Sequence, residues 1–270
     1  MIYFNNKQMV LDMSKNRIMK STILKAIICT ALSMSALPGM AQTSNVLTVA
    51  ATPTAVPFNF LDTKTNSLQG VMIDVTNALA KELGFTPELQ PTPFNALIPS
   101  LQTQKIDMIS SAFAVTDKRA EVVDFSDRLF SYGEAVVVNS DDNTEYKNTS
   151  DFNGKVVGVQ TGTVIAEPMK EVAGIKELRF YDTMQDLIRE VSIGRIDVAL
   201  GDGPVMLYTI ANSGVKNVRN ATSYQKQIEI NIAIAVRKGD KELLDTINRG
   251  IAIIKADGTL DAILKKWQII

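Results

Sequence analysis

Two stretches of the sequence, SLQTQKIDMISSAF at residues 100–113 and EVSIGRIDVALGDG at residues 190–203, follow the same plan. Each begins at the end of a predicted helix, continues through Lys-Ile-Asp or Arg-Ile-Asp into an apolar strand, and finishes in a polar loop. A second pair, VLTVAATPT at 46–54 and KVVGVQTGT at 155–163, also matches, and the pairs fall in the same order along the chain. The repetition predicts two lobes of similar architecture, with chance similarity between strand–helix units as the alternative.

The predicted strands are short and mostly apolar, and helical patterns separate them. Helical spacing is clear at residues 70–84 and weaker at 94–105, where Pro99 interrupts it. This alternation is typical of α/β proteins with parallel sheets. The last segment, residues 229–267, predicts a strand and two amphipathic helices. If these helices pack on the first lobe, the chain crosses between the lobes twice.

The first 41 residues have the pattern of an export signal. Basic residues are followed by an apolar run at 26–41, and Gly39 and Ala41 are the small residues that a signal peptidase reads. Residues 1–41 are therefore predicted to be a cleaved signal peptide and the remainder a soluble periplasmic protein. A membrane anchor is the alternative, but the apolar run is shorter than the roughly 20 residues that a spanning helix needs.

The composition limits the chemistry of the mature chain. Of the 270 residues, 46 % are hydrophobic and 21 % charged, which is typical of a globular protein. The chain has no histidine, and its one cysteine, Cys29, lies in the predicted signal peptide, so no metal, cofactor or disulfide is expected. After residue 41 the chain has 23 basic and 28 acidic residues, a net charge of −5, which argues against nucleic acid as a partner.

Arg119 stands in the first turn of a predicted short helix, DKRAEVVDF at 117–125, behind Thr116 as the predicted N-cap. The amino end of a helix is partly positive, so an arginine there needs a reason. Either Arg119 is solvated and balanced by Asp117 or Glu121, or its guanidinium binds an anion such as a carboxylate. In the second case the preceding loop offers backbone groups for the same anion, at Ser111, Ala112 and Ala114.

Two further positions extend this hypothesis. Gln160-Thr161-Gly162-Thr163 follows a strand and opens a helical stretch, and free N–H groups at a helix start bind anions. The alternative is that the helix is distorted at Pro168 or starts there. Asp202 ends the apolar strand IDVALGD, where ligands of α/β sheets bind, although it could instead cap the next helix. An arginine for an anion and an aspartate for a cation together would bind a zwitterion, such as an α-amino acid.

The chain carries a long series of family motifs in order: VPFNFLD (56–62), LQGVMIDVTNALAKELG (68–84), FNALIPSLQTQKIDMI (94–109), VTDKRAEVVDFSDRLF (115–130), FNGKVVGVQTGT (152–163), GRIDVALGD (194–202) and KADGTLDAILKKW (255–267). Through them the sequence resembles the polar amino-acid binding family of periplasmic solute-binding proteins, which are the partners of ABC importers. The resemblance implies the type II periplasmic binding fold, an α/β fold of two lobes, each a mixed, mainly parallel sheet flanked by helices, joined by two hinge strands. The implied lobes are residues 45–133 with 233–270, and residues 134–232.

The same resemblance implies roles for individual residues. Arg119 would hold the ligand carboxylate with the amide and hydroxyl of Thr163, and Asp202 would hold the α-ammonium with the carbonyl of Ala112. Phe94 would lie against the ligand side chain. The sequence departs from the family pattern at three positions where the ligand is usually contacted by an aromatic residue or a hydroxyl: Ala55, Ala114 and Val164.

The predicted function is that of a monomeric, non-enzymatic receptor that passes an amino acid or related zwitterion to an ABC membrane permease. The first alternative is an enzyme resembling cyclohexadienyl dehydratase, which would need a carboxylic acid poised in the cleft. Glu134 and Glu229 lie near the predicted hinges, although nothing in the sequence marks them as poised. The second alternative is a sensor that presents the same closed form to a signalling receptor.

Overall fold

A computed structural model of the chain describes residues 45–269. The predicted signal peptide, residues 1–41, lies outside the described residues. Within residues 45–269, the structure contains no helix that combines the length and apolar character needed to cross a membrane.

The strands follow one another along the chain as β1 (Asn45–Ala51), β2 (Thr54–Ala55), β3 (Asn59–Asp62), β4 (Ser67–Gln69), β5 (Phe85–Pro91), β6 (Met108–Ile109), β7 (Val123–Phe125), β8 (Phe130–Asn139), β9 (Val156–Gln160), β10 (Glu177–Tyr181), β11 (Val198–Asp202), β12 (Val218–Asn220), β13 (Glu229–Ile232) and β14 (Ala235–Arg237).

The α-helices are α1 (Val71–Leu83), α2 (Leu97–Gln102), α3 (Asp117–Ala120), α4 (Ala166–Lys170), α5 (Met184–Ser192), α6 (Gly203–Asn212), α7 (Lys241–Ala256) and α8 (Thr259–Lys266). Two short 3-10 helices add to them, at Phe94–Ala96 and Thr149–Phe152.

Two mixed sheets form the cores of the two lobes. The first has the order β5-β1-β6-β14-β7, with β1 parallel to β5 and β6, and β14 antiparallel to β6 and β7. The second has the order β10-β9-β11-β8-β12, with β9 parallel to β10 and β11, and β8 antiparallel to β11 and β12. Helices accompany both sheets, so the predicted α/β class is confirmed.

The chain passes between the two sheets along β8 and β13. These strands pair in antiparallel fashion, with Phe130 opposite Ile232 and Gly133 opposite Glu229. Beyond Gly133, β8 continues into the second sheet, whereas β13 leads to β14 in the first sheet. The two crossings follow from this order, because the C-terminal segment returns to the lobe in which the described chain begins.

The repeated Ile-Asp motifs occupy equivalent places in the two sheets. The carboxylate of Asp107 accepts a hydrogen bond from the backbone N–H of Thr48 at 2.8 Å. The carboxylate of Asp197 accepts the corresponding bond from the N–H of Val156 at 2.7 Å. In both lobes the aspartate therefore ties the start of one central strand to its parallel neighbour, which gives the sequence repeat a structural cause.

Helix α1 shows how the sequence positions the first lobe. Its apolar residues bury one face, and the chain enters it through Gly70 at a φ of 126°, a conformation that favours glycine. A Cβ at Gly70 would lie 2.3 Å from the carbonyl oxygen of Phe58. The C-terminal helices pack on α1, and the indole N–H of Trp267 donates to Asp74 at 2.7 Å. The C-terminal helices thus pack on the lobe in which the described chain begins.

Two helix predictions differ from the structure. The helix expected at 94–105 is divided into the 3-10 helix Phe94–Ala96 and the shorter α2. The helix expected at 117–125 ends at Ala120, and Val123–Phe125 forms β7 instead. Residues 123–125 form a strand because they pair with β14 at the edge of the sheet. Their sequence permits this, since a β-branched residue such as Val123 fits a strand as well as a helix.

Candidate ligand-binding site

An enclosed pocket lies between the two lobes, where strand ends and turns from both sheets meet. Five residues named from the sequence line it: Ala55, Phe94, Ser111, Ala112 and Asp202. Gln160, named from the sequence as part of the turn 160–163, lines it as well, and so do four residues that were not singled out as site residues: Thr52, Thr54, Met184 and Val205. The pocket encloses about 10 Å³, about the minimum space for one water molecule. A larger solute therefore requires the walls to move apart.

Arg119 is placed by its own helix and by two aromatic rings. The hydroxyl of Thr116 accepts a bond from the N–H of Arg119 at 3.2 Å, which confirms the predicted N-cap. The guanidinium carbon lies 4.0 Å from the ring centroid of Phe113 and 5.6 Å from that of Phe94. Stacking on aromatic faces suits the flat guanidinium and limits its rotation. The side chain is consequently held in one orientation at the edge of the cleft.

The solvated reading of Arg119 is wrong. The residue is only 8 % exposed, and in the described part of the chain no carboxylate lies within ion-pair distance of it. Its guanidinium donates instead to the carbonyl of Ala114 at 2.5 Å and to the carbonyl of Gly162 at 2.9 Å. Burial lowers the pKa of Arg119 to about 10, and the charge of Asp202 partly opposes that effect. The structure therefore buries a cation without a direct counter-ion.

Asp202 is the last residue of β11 and stands opposite Glu134 of β8. It occupies the N-cap position of α6, but its side chain makes no capping hydrogen bond, so the capping alternative for Asp202 is not realised. Burial raises the pKa of Asp202 to about 6, against the opposing influence of Tyr132 and Arg119. The hydroxyl of Tyr132 is itself buried without a hydrogen bond of good geometry. Tyr132 was not named from the sequence, because only the fold brings β8 beside β11.

Thr163 and Val164 line an adjoining, more open groove with Arg119 and Gly162. The hydroxyl of Thr163 donates to the carbonyl of Gln160 at 2.8 Å, so it closes its own turn. The helix expected directly after Gln160-Thr161-Gly162-Thr163 does not begin there. It starts at Ala166 and has five residues. The predicted helix start in this turn is therefore wrong, because a turn separates Thr163 from α4, and the anion-binding role of Thr163 stays a prediction.

The loop after β6 contributes mainly backbone to the site. Ala112 has a φ of 33°, in the left-handed region that is unusual for a residue with a side chain. The hydroxyl of Ser111 accepts a bond from the N–H of Thr52 at 3.0 Å, which ties this loop to the turn after β1. Ala114 does not line the enclosed pocket, and its carbonyl is the acceptor for Arg119. The loop is thus shaped by backbone contacts rather than by exposed hydroxyls.

A side chain of the second lobe also reaches the first. The amide nitrogen of Gln185, in the first turn of α5, donates to the carbonyl of Thr54 at 2.6 Å. The amide oxygen of Gln185 is buried without a hydrogen-bond partner in the described structure. No signal in the sequence identified this contact, because residues 54 and 185 meet only when the lobes are together.

The two glutamates considered as catalytic acids, Glu134 and Glu229, lie outside the enclosed pocket. Glu134 is fully buried, and its carboxylate accepts bonds from the N–H groups of Gln227 at 2.6 Å and Ile228 at 3.0 Å and from the hydroxyl of Tyr224 at 3.2 Å. Glu229 is exposed and lies 3.7 Å from Arg128. Glu134 of β8 therefore holds residues 224–228, which precede β13, by hydrogen bonds. Neither glutamate contributes to the pocket wall.

Two lobes on two crossing strands, with a small polar pocket enclosed between them, define a solute-binding protein. The family model of bacterial extracellular solute-binding proteins, family 3, matches residues 47–269, and the chain belongs to this family. Among its relatives, the L-cystine-binding protein TcyA of Bacillus subtilis (strain 168) is 31 % identical over 222 residues, covering 82 % of this chain and 81 % of TcyA.

Solved structures of amino-acid-binding proteins have the same fold. An ancestral arginine-binding protein bound to glutamine superposes with a TM-score of 0.77 at 35 % identity, covering 83 % of this chain and 97 % of the other. An ancestral amino acid-binding protein described as a precursor of cyclohexadienyl dehydratase superposes with a TM-score of 0.74 at 33 % identity, covering 83 % and 95 %. These likenesses confirm the two-lobed fold that the sequence predicted.

Proposed function

We propose that this protein captures an amino acid, or a zwitterion of similar shape, and delivers it to the membrane permease of an ABC importer. The observation that carries the proposal is a pair of buried opposite charges in the cleft. Arg119 follows β6 of the first sheet, and Asp202 ends β11 of the second, and neither has a direct ion-pair partner within residues 45–269. Buried charges are costly when they are unpaired, and a ligand that carries both complementary charges would relieve the cost at both positions.

The two ends of the ligand have separate partners in this function. The carboxylate binds the guanidinium of Arg119 and takes the place of the Gly162 carbonyl, because a charged acceptor forms the stronger hydrogen bonds. Thr163 contributes from the same groove. The ammonium binds the carboxylate of Asp202, with the carbonyl of Ala112 as a second acceptor. Phe94, Val164 and Ala55 contact the remainder of the ligand.

Binding is accompanied by movement of the lobes. The enclosed pocket holds about 10 Å³, and an amino acid is several times larger than the water molecule that such a space admits. Residues 45–133 with 233–270 therefore separate from residues 134–232 by bending at β8 and β13, and they close again around the ligand. The closed form is the one that the permease recognises. A monomer is sufficient, because each lobe supplies one half of the site.

The relatives support both the ligand class and the location. TcyA is named as an L-cystine-binding protein, and one superposed ancestral protein is described as bound to glutamine. The family is one of extracellular proteins, which agrees with the predicted signal peptide and with a periplasmic location.

A dehydratase on the same scaffold is the alternative, since one superposed protein is described as a precursor of such an enzyme. Among carboxyl groups of the described residues that line the pocket, Asp202 has a raised pKa, of about 6, as a general acid would. Incubation with prephenate or arogenate tests this alternative directly. Formation of an aromatic product would replace the transport function with an enzymatic one.

The proposed function is tested with residues 42–270, unfolded and refolded to remove any bound ligand. Thermal unfolding is measured with a free amino acid, its N-acetyl derivative and its α-carboxamide derivative. Because a bound ligand raises the melting temperature with the logarithm of its concentration, the free amino acid should raise it and the two derivatives should not. Equal shifts for all three compounds would show that binding does not require both the ammonium and the carboxylate of the ligand. A ligand-dependent complex with the purified permease would separate transport from sensing.

A further inference from the structure

The walls of the enclosed pocket carry one charged residue, Asp202, among the described residues that line it. The proposed function assigns Asp202 to the ammonium and Arg119 to the carboxylate, so both buried charges of the cleft are in use. Lys118, Glu121 and Glu167 line only the adjoining groove, where all three are exposed to solvent. A charged ligand side chain enclosed in the pocket would consequently have no buried counter-charge, which proteins rarely tolerate.

The pocket nevertheless contains a polar group without a partner. Thr52 is 2 % exposed and lines the pocket, and its hydroxyl makes no hydrogen bond in the described structure. Its backbone N–H donates to the hydroxyl of Ser111 at 3.0 Å, which ties the backbone at this position to the loop after β6. A buried hydroxyl of this kind is costly when left unpaired, and a purely apolar ligand side chain would leave it so.

Gln160 adds a second polar contact on the opposite wall. It is 7 % exposed, and its amide nitrogen donates to the carbonyl of Asp182 at 2.8 Å. That bond fixes the amide group and leaves its oxygen as an acceptor beside the pocket. Ala55 and Met184 also line the pocket, and because one is small and the other deformable, the space can adapt to side chains of different length.

We propose that the bound amino acid has an uncharged side chain with a hydrogen-bonding group, such as a carboxamide or a hydroxyl, which pairs with Thr52. This inference rests on the proposed function and narrows its ligand class. A carboxamide can satisfy Thr52 with its oxygen and Gln160 with its nitrogen. Charged side chains are excluded by desolvation, and apolar ones lose the bond to Thr52.

The first test measures dissociation constants of the refolded residues 42–270 for the twenty standard L-amino acids and L-cystine by titration calorimetry. The best ligand should have an uncharged polar side chain and should bind at least about tenfold more tightly than arginine, lysine, aspartate or glutamate. A tightest ligand with a charged side chain, or with the charged far end of L-cystine, would overturn the inference but leave the proposed function intact. If none of these compounds binds, this inference and the amino-acid part of the proposed function both fail.

The second test assigns the selectivity to Thr52. Thr52→Val keeps the shape but removes the hydroxyl, so affinity for the best polar ligand should fall about tenfold. Affinity for L-methionine, which is uncharged and offers the Thr52 hydroxyl only a weak thioether acceptor, should change less than about threefold. Thr52→Ser restores the hydroxyl and should restore the preference, which also shows that the position tolerates substitution. Full retention of the polar preference in Thr52→Val would overturn the role of Thr52.

A charge introduced at the same position gives an independent result. Thr52→Asp supplies a carboxylate in the pocket, and arginine or lysine should then gain at least about tenfold in affinity relative to the best uncharged ligand. Circular dichroism and thermal unfolding without ligand verify that each variant is folded. No gain for cationic ligands in a folded Thr52→Asp would contradict the placement of the ligand side chain beside residue 52.

Discussion

The guanidinium of Arg119 donates a hydrogen bond to the carbonyl of Gly162 at 2.9 Å, so a side chain of the first lobe holds the backbone of the second. The same side chain lies over Phe113 and donates to Ala114, both in its own lobe. Arg119 therefore contacts both lobes at the site proposed for the ligand carboxylate. Several measurable consequences depend on this arrangement and on the groups near it.

Arg119→Ala should weaken binding of the best amino acid by at least about 100-fold, because the ligand carboxylate would be buried without a charged partner. Arg119→Lys should recover only part of the loss, since lysine cannot form the paired hydrogen bonds of a guanidinium. Calorimetry provides the affinities. Arg128→Ala is the matched control, because Arg128 is an exposed arginine near the crossing strands. Similar affinities for Arg119→Ala and Arg128→Ala would remove Arg119 from the site.

Asp202→Asn should stabilise the ligand-free protein at neutral pH and should abolish tight binding. Burial raises the pKa of Asp202 from 3.8 to about 6. The folded state is thus favoured by the protonated carboxyl below about pH 4, and this contribution is lost as the pH rises through 6. Above that pH the ionised group costs at most about 3 kcal/mol, which the neutral amide avoids. Denaturant unfolding at pH 5 and pH 8 measures the difference. If Asp202→Asn is less stable than the wild type at pH 8, ionised Asp202 does not destabilise the folded protein.

The affinity for an amino acid should depend on pH through the same group. Ammonium binding requires ionised Asp202, which in the free protein becomes protonated below about pH 6. The dissociation constant should be nearly constant above pH 7 and should rise by up to about tenfold per pH unit below 6. Asp202→Asn should lose this dependence along with most of its affinity. Affinity that stays constant from pH 8 to pH 5 would show that Asp202 does not bind the ammonium.

Gln185→Met should weaken ligand binding about threefold to tenfold, mainly by faster release. The substitution keeps the length of the side chain but removes the bond from Gln185 to the carbonyl of Thr54, which joins the lobes. Stopped-flow measurement of ligand dissociation gives the rate. Gln102→Met, on the exposed side of α2, is the matched control and should leave the rate unchanged. Equal rates in the two variants would mean that the bond does not help to keep the cleft closed.

Glu134→Ala should destabilise the protein by several kcal/mol. It removes the acceptor of two part-buried backbone N–H groups, of Gln227 and Ile228, and of the part-buried hydroxyl of Tyr224, and a polar group left without its partner away from water costs about 1–3 kcal/mol. The free energy of unfolding in urea measures the effect. Glu145→Ala, at an exposed glutamate of the same lobe, should change it by no more than about 0.5 kcal/mol. A small effect at Glu134 would show that water can replace the carboxylate.

The site was only partly predictable from the sequence. Arg119 and Asp202 could be named because each breaks a local expectation, a cation in the first turn of a helix and an acid at the end of an apolar strand. Thr52 lay in the threonine-rich turn of the repeat, but threonine is common in turns and nothing distinguished its hydroxyl. Tyr132 and Gln185 gave no signal, because their importance depends on neighbours that are distant in the sequence.

Local patterns in the sequence determined the α/β class, the two similar halves and the capped start of the helix at Arg119. Apolar periodicity, capping residues and the Ile-Asp repeat act over a few residues, so they can be recognised without the fold. Only the tertiary structure decided that 123–125 is a strand, that the turn at Thr163 is not the start of a helix, and that residues 54 and 185 touch across the cleft. These outcomes depend on strand pairing and on contacts between lobes, whose free energies involve residues far apart in the chain.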